Sequence, residues 1–421
     1  MVYQFLKAVV QLLTRLFYKS VHVSGMENIP KKAPLLIAMN HPGGFMEPIL
    51  LASVFPRPLY FLVRGDMFKK AWLKPLLDAT NQLPIYRFKD GFSNLKKNQS
   101  ILNAVNQKIH EGNPILIYVE GSTEPVMQLR PLQKGMARMA FDALNSKENL
   151  DLKILPVGVN FTYPTQPYSE VMLNVGQPFD VADFKANYEE HPNKGYTALT
   201  KATKERLQEL VLHVDDLEEY PFYEDVLNLF RSTLPSTYLP RRSNSLERYQ
   251  SEKQVVDQLN KHSKEDKSKL KSTISELKSS ISMKGLSWAD FQNSKPSILE
   301  VIILVLGFPI SLIGLLINAP FLFLGKNIAD SKVKKGGFYA SVMGSVMTIG
   351  MIFYYFLLVI IGFFFISFKS LLIPIIGIAL GCFTHYYFYI LHKWKQSKRH
   401  KALDKLVIEQ RNHLLKQISN Y

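Results

Sequence analysis

Cysteine is all but missing from this chain: Cys382 is the only one among 421 residues. That excludes a disulfide framework and any zinc site built on thiolates. The histidines show no paired spacing of the metal-ligand kind, so no metal site is expected. His22, His110 and His213 read as surface or internally satisfied residues. There is no glycine-rich phosphate loop of the nucleotide-binding type, and no fixed-period repeat. Acidic residues are scarce beside basic ones, 35 against 51, which leaves a net charge of +16 on a chain that is 47% apolar. The excess points to an anionic partner, either nucleic acid or the anionic face of a membrane. The basic segment 241–295 lacks the interleaved aromatics that base stacking needs, so no nucleic acid is expected.

Long apolar runs, by contrast, are present. Ile298–Leu324, Phe338–Phe368 and Leu371–Leu391 each meet or exceed the roughly 20 residues needed to cross a bilayer. Lys326, Lys332, Lys334 and Lys335 flank the first two, and Lys393, Lys395, Lys398, Arg399 and Lys401 follow the third. The positive-inside rule places both clusters in the cytoplasm, which makes the second and third runs a hairpin joined near Lys369. The first run then has both ends inside, and Gly307, Pro309, Gly314 and Pro320 predict a re-entrant hairpin there. At the other end of the chain, residues 2–18 read as an amphipathic helix. Phe5, Leu6, Val9, Leu12, Leu13, Leu16 and Phe17 fall on one side, and Gln4, Lys7, Gln11, Thr14 and Arg15 on the other. The apolar core is interrupted and no small-residue cleavage site follows, so a signal peptide is not expected. Two readings stand: a helix lying in the membrane plane, or one packed on the following domain.

Between these ends the pattern alternates. Leu35–Met39, Leu59–Val63, Pro84–Phe88, Ile115–Val119, Ile154–Phe161 and Val171–Val175 read as strands, with helices near 47–54, 67–79, 94–111 and 132–145. The fold class expected is α/β, a largely parallel sheet flanked by helices, plus an all-helical membrane region. In such sheets, sites form beyond the carboxyl ends of strands. Two chemistry-bearing stretches stand there: Asn40-His41-Pro42-Gly43-Gly44-Phe45-Met46-Glu47-Pro48 and Glu120-Gly121-Ser122. Six positions on one helix would leave His41 and Glu47 about 120° apart. Pro42, Gly43 and Gly44 instead predict a tight turn that folds one back on the other. A histidine held by a carboxylate is the arrangement of a general base with a fixed tautomer.

These stretches, with three more in order, resemble the glycerolipid acyltransferase superfamily of lysophosphatidic acid and glycerol-3-phosphate acyltransferases. The superfamily's first motif is His, four residues, then Asp. Here five residues separate His41 from Glu47, so both the spacing and the carboxylate differ. Pro84-Ile85-Tyr86-Arg87 looks like the second block, and Ile117-Tyr118-Val119-Glu120-Gly121-Ser122 like the third, followed by Leu129-Arg130-Pro131-Leu132-Gln133-Lys134-Gly135. Ile154-Leu155-Pro156-Val157-Gly158-Val159 looks like the fourth, and Gly176-Gln177-Pro178 stands at a later strand end. The resemblance covers about residues 20–215.

The resemblance implies catalytic His41 and Glu47, the base and its orienter. It implies substrate contacts from Arg87, Glu120, Gly121, Ser122 and Pro156. Arg87 offers a planar fork for the acceptor phosphate, Gly121 a close backbone approach, and Pro156 a wall of the acyl channel. Lys134 and Arg130 read equally as solvated charges or phosphate contacts. The implied reaction moves an acyl chain from acyl-CoA or acyl carrier protein to a hydroxyl of lysophosphatidate or glycerol 3-phosphate, with no metal or other cofactor. Partners are then membrane lipids, the thioester donor and a phosphorylated glycerol-type acceptor, and the protein is integral to a membrane with its catalytic domain on the cytoplasmic side. A phospholipid transacylase and an inactive membrane scaffold remain as alternatives. The expected organisation is an N-terminal helix (1–18), an acyltransferase domain (19–240), a charged helical linker (241–296), membrane helices (297–392) and a basic tail (393–421). Within the linker, Leu270, Ile274, Leu277 and Ile281 give a thin apolar stripe, so a surface helix or short coiled coil and a solvated charged linker stand as equal readings.

Overall fold

The computed structural model of the chain describes residues 2–44, 46–71, 73–85, 98–164, 166, 169–234, 241–292, 295–333 and 338–419. It divides into two compact units, Met1–His213 with Pro240–Gln250, and Val214–Leu239 with Ser251–Tyr421. The first unit is built on a nine-stranded sheet: β1 Ser20–Ser24, β2 Leu35–Met39, β3 Tyr60–Arg64, β4 Gln82–Ile85, β5 Pro114–Tyr118, β6 Lys153–Phe161, β7 Glu170–Val175, β8 Phe179–Asp180 and β9 Arg241–Ser243. The strand order is β4-β3-β5-β2-β6-β7-β1-β9, with β8 beside β6. All pairings are parallel except β6 with β7 and β6 with β8.

The centre of the sheet follows from composition. Leu35 to Met39 is an unbroken apolar run, and all five residues are fully buried between β5 and β6. A continuous run of this kind suits a parallel strand covered on both faces. Its side chains alternate between two cores. Leu36 and Ala38 join Ile115, Ile117, Phe141 and Ile154 on one face. Leu35, Ile37 and Met39 join Leu50, Leu51, Leu155 and Val157 on the other. Each such side chain taken from water is worth about 1.5–3 kcal/mol.

Helices α1 Val2–Phe17, α2 Met46–Val54, α3 Lys74–Ala79, α4 Asn98–His110, α5 Gly135–Ser146, α6 Lys185–Glu190 and α7 Pro192–Gln208 belong to this unit. The single helix expected over 67–79 is instead a 3₁₀ turn, Gly65–Lys69, followed by α3. Pro75 is the reason: it fits only the first turn of a helix, so α3 starts beside it. The N-terminal helix is docked by its polar row. Lys7 Nζ donates to the Phe55 carbonyl (2.5 Å), Gln11 to the Ser53 carbonyl (2.8 Å), and the Tyr3 hydroxyl accepts from the Leu59 N–H (3.0 Å). Residues 3, 7 and 11 are spaced by one helical turn, so they share a face, and that face supplies partners to the unfilled carbonyls at the end of α2.

In the second unit the described residues are almost wholly helical: α8 Tyr220–Arg231, α9 Glu247–Lys261 (whose first four residues fall in the first unit), α10 Lys264–Met283, α11 Ile298–Leu306, α12 Phe308–Lys332, α13 Tyr339–Ile366, α14 Ile373–His400 and α15 Lys405–Ser419. Ile274, Leu277 and Ile281 of the α10 stripe are buried, which makes this segment a packed helix. The re-entrant hairpin expected over the first apolar run is not present. Gly307 keeps helical dihedrals (φ −81°, ψ −10°), and α12 continues through Pro309, Gly314 and Pro320. The i to i−4 bonds persist across Gly307, from its N–H to Ile303 and from Ser311 to its carbonyl. A glycine in the helical region interrupts nothing, and a proline costs one hydrogen bond without reversing the chain.

Asn318 marks where three helices meet. Its side-chain amide donates to the carbonyls of Gly314 (2.8 Å) and Gly377 (3.1 Å), and its oxygen accepts from the Tyr355 hydroxyl (2.9 Å). Small residues permit the approach: a Cβ on Gly377 would lie 2.3 Å from the Tyr355 hydroxyl, and one on Gly314 2.3 Å from Thr384 Oγ1. A 3₁₀ turn, Ser367–Leu372, joins α13 to α14 around the expected position of Lys369. Phe308–Lys332 and Ser341–His400 are long and apolar enough to cross a membrane.

Candidate active site

The sheet brings Asn40-His41 and Glu120-Gly121-Ser122 together because β2 and β5 are adjacent and parallel, with Met39 in register with Tyr118. Both strands end at the same edge, and both chains turn there. On the other side, the Asn40 side chain extends the pairing of β2 with β6. Its amide donates to the Val159 carbonyl (2.9 Å) and its oxygen accepts from the Val159 N–H (2.8 Å). His41 therefore leaves the sheet from a residue fixed on both sides.

The turn at Pro42-Gly43-Gly44 folds His41 towards Glu47, which lies in the first turn of α2. Gly44 takes a left-handed conformation (φ 73°), which glycine adopts without steric cost. A Cβ on Gly43 would sit 2.9 Å from Phe161 Cε2 and 3.3 Å from Glu47 Oε1, so the turn has room only for glycine. His41 Nδ1 is 3.0 Å from Glu47 Oε2, and the Gly43 N–H donates to Glu47 Oε1. The extra residue relative to the family spacing is thus absorbed by the turn, and the longer glutamate arm closes the distance. Glu47 is fully buried, while the His41 side chain keeps 16% of its exposure. Burial pushes the Glu47 carboxyl above its ordinary value, against the opposing pull of the His41 ring and the Gly43 N–H. With Nδ1 turned to the carboxylate, Nε2 is the nitrogen left for chemistry.

Glu120 sits beneath this pair and is nearly buried. One oxygen accepts from the His41 main-chain N–H (2.8 Å) and from Arg130 Nη2 (2.9 Å), the other from the Arg130 main-chain N–H (2.8 Å). Arg130 Nη1 also donates to Ser122 Oγ (2.7 Å), and Nη2 to the Ser122 carbonyl. Gly121 is left-handed (φ 72°) in the turn closed by its own N–H on the Tyr118 carbonyl. So five of the residues expected in the site, His41, Glu47, Glu120, Gly121 and Ser122, form one connected set with Arg130. Pro156 stands on β6 opposite Ala38, and its carbonyl accepts from Gly176. Arg87 lies outside the described residues. Lys134 reaches Thr197 at the surface (2.9 Å). His22 pairs through Nδ1 with the Ser243 hydroxyl while its Nε2 lies 3.7 Å from Glu170, His110 pairs with the Ala143 carbonyl, and His213 accepts from the Leu129 N–H.

Sequence reasoning gave no structural role to Arg130, Asn40 or Tyr118. Arg130 is ten residues from Glu120, and only the return of the chain after the Gly121 turn makes the pair. The Tyr118 ring stacks on His41 with centroids 3.8 Å apart, a contact set by strand register that no local pattern reveals.

Comparison with known proteins gives a consistent result. A family model described as Acyltransferase matches residues 20–160. Glycerol-3-phosphate O-acyltransferase 1 of Saccharomyces cerevisiae is 24% identical over 143 residues, 33% of this chain and 19% of that protein. A probable 1-acyl-sn-glycerol-3-phosphate acyltransferase of Mycoplasma pneumoniae is 26% identical over 122 residues, 28% of this chain and 43% of its own length. The matched segments therefore span less than half of either relative. The crystal structure of the LPA acyltransferase PlsC from Thermotoga maritima aligns with a TM-score of 0.34 at 19% identity, over 49% of this chain and 82% of that one. Residues 20–160 thus match an acyltransferase family model and are similar in sequence to glycerolipid acyltransferases.

Proposed function

We propose that the protein is a membrane-bound O-acyltransferase of glycerophospholipid synthesis. It transfers a fatty acyl chain from acyl-CoA or acyl carrier protein to a hydroxyl of lysophosphatidate or glycerol 3-phosphate. The observation that carries the reading is the His41–Glu47 pair at 3.0 Å, set at the carboxyl end of a parallel strand with Nε2 left for substrate. His41 takes the proton of the acceptor hydroxyl as its oxygen attacks the thioester carbon. The imidazolium so formed is stabilised by Glu47. Collapse of the tetrahedral intermediate breaks the C–S bond, and the proton passes from His41 to the departing thiolate.

The remaining residues take supporting roles. Glu120 holds the His41 main chain and Arg130 together, and so shapes the floor on which the acceptor lies. Gly121 and Ser122 offer a tight turn with close backbone approach, and Arg87 receives the acceptor phosphate as a planar fork. Pro156 stiffens the wall for the acyl chain. The exposed apolar surface of α12 to α14, with Phe323, Phe353, Phe364 and Ile375 all open, supports a membrane location. Lys393 meets Glu300 at the start of the apolar helices, and the basic run Lys393, Lys395, Lys398, Arg399 and Lys401 at that end supports a cytoplasmic catalytic unit.

Two experiments test this. Purified protein is given labelled acyl-CoA or acyl carrier protein with a panel of acceptors, beside His41→Ala. The expected outcome is labelled product only from the wild type, with both proteins equally folded; full activity of His41→Ala would rule the mechanism out. Membranes are washed in high salt and then at alkaline pH. Release of the protein into the supernatant would contradict integral insertion.

A further inference from the structure

The phenol of Tyr118 lies flat on the His41 imidazole, centroids 3.8 Å apart and planes 14° from parallel. The sheet sets this contact. Tyr118 is the last residue of β5, in register with Met39 of β2, and His41 follows Met39 by two residues. The Tyr118 hydroxyl is buried and has no hydrogen-bond partner. Nothing tethers the side chain by its polar end, so the face of the ring makes the useful contact.

Charged and titratable groups surround the imidazole from several elements. Glu47 of α2 meets its Nδ1. Glu120, after β5, holds its main-chain N–H, with Arg130 paired behind. The Glu124 N–H donates to its carbonyl, and the Glu124 side chain lies 3.6 Å from Arg130. Tyr18, after α1, feels the charge of Glu47, as Tyr118 does. Burial first, and that charge second, hold both phenols well above their ordinary value, so both rings are neutral throughout the working range.

We propose that Tyr118 is a positioning residue for acyl transfer: its face fixes the plane of the His41 ring against Glu47 and stabilises the imidazolium formed as the acceptor's proton is taken. The proposal rests on the reading of His41 as the base. An aromatic face attracts a cation within about 6 Å of its centroid far more than a neutral ring. The positive ring exists only after proton transfer, so the attraction favours the transition state over the bound substrates. A partly desolvated cation–π contact of this kind corresponds to roughly 5- to 30-fold in rate.

The full chain is assayed with labelled acyl-CoA and lysophosphatidate in four forms beside wild type: Tyr118→Phe, Tyr118→Leu, a pentafluorophenylalanine at 118, and His41→Ala. Tyr118→Phe keeps the face and removes the unpartnered hydroxyl. Its kcat is expected within about twofold of wild type, with Tm equal or higher. Tyr118→Leu is expected to lower kcat roughly 5- to 30-fold with both KM values unchanged. The base acts when neutral, and losing a face that favours its charged form moves the acid limb of kcat/KM to lower pH, by roughly one unit. The fluorinated ring keeps the shape and reverses the quadrupole, so it reproduces the Leu result even if Tyr118→Leu fails to fold. Wild-type kcat with an unmoved acid limb in the fluorinated form would overturn the proposal, as would a Tyr118→Phe loss equal to that of Leu. Activity in His41→Ala would instead overturn the reading on which it rests.

Discussion

Glu47→Gln is the most informative change at the site, because the two oxygens of Glu47 do different jobs. Oε2 accepts from His41 Nδ1 at 3.0 Å, and Oε1 accepts from the Gly43 N–H. A carboxylate serves both, but an amide has one acceptor and one donor. If the Gln oxygen faces His41, its NH₂ opposes the Gly43 N–H. If it is flipped, the NH₂ faces Nδ1 and selects the tautomer that carries its proton on Nε2, where it cannot act as a base. Losing one charge-assisted bond costs about 1.5–3 kcal/mol, or roughly 10- to 150-fold in rate. A wrong tautomer can extend the loss to about 10⁴-fold, as in the serine protease triad. We therefore expect kcat about 10- to 10⁴-fold below wild type, above that of His41→Ala, with acceptor KM little changed.

A stability measurement on the same variant gives an independent check. Burial raises the Glu47 carboxyl above its ordinary value, so the folded chain holds that proton more tightly than the unfolded chain does. The stability this provides is present below the unfolded value and is lost as pH rises through the folded one. Gln does not titrate, so the Tm of Glu47→Gln relative to wild type should increase as pH rises above the ordinary carboxylate range. Acyl transfer within twofold of wild type in Glu47→Gln would refute the orienting role. A loss greater than that of His41→Ala would make Glu47 the principal chemical group.

Other perturbations follow from neighbouring contacts. Arg130→Ala strips the charge partner from Glu120, whose side chain is only 2% exposed; breaking a buried pair from one side costs about 3–5 kcal/mol. Thermal unfolding should show that loss, and activity should fall with it because Glu120 also holds the His41 main chain; an unchanged Tm would contradict a structural pair. Gly43→Ala places a methyl 2.9 Å from Phe161, an overpacking worth about 1–3 kcal/mol, and should lower kcat by moving Glu47. Equal Tm and kcat would show that the turn has slack. Asn318→Ala leaves the Tyr355 hydroxyl and the Gly377 carbonyl without their partner. A loss of about 1–2 kcal/mol is expected in detergent-solubilised unfolding, and no loss would mean the three-helix junction is held by packing alone.

Much of the catalytic unit is legible in the chain because its centre is made by local patterns. Leu35–Met39 is apolar at every position and could only be a strand covered on both faces; β5 and β6 read similarly, and their ends locate the site. The strands that escape sequence reading are β1, β8 and β9. Ser20–Ser24 carries only two apolar residues and Arg241–Ser243 none, and they become strands by pairing with β7 and with each other. The N-terminal helix shows the same limit from the other side. Its amphipathic pattern is plain, yet which face meets the unit was decided by the unfilled carbonyls at Ser53 and Phe55.

By itself, the sequence determined the alternation of strands and helices, the apolar helices near the C-terminus, and which residues stand at strand ends with chemistry to offer. It did so because periodicity, turn residues and strand termination are properties of neighbours along the chain. The tertiary structure decided the rest. Whether Glu47, one residue too far along, still reaches His41 depended on a turn whose left-handed Gly44 and crowded Gly43 cannot be measured by counting. Arg130 on Glu120 and Tyr118 on His41 depended on which strands became neighbours and in what register. Those contacts join residues 10 and 77 positions apart, and only the folded sheet sets distances between them.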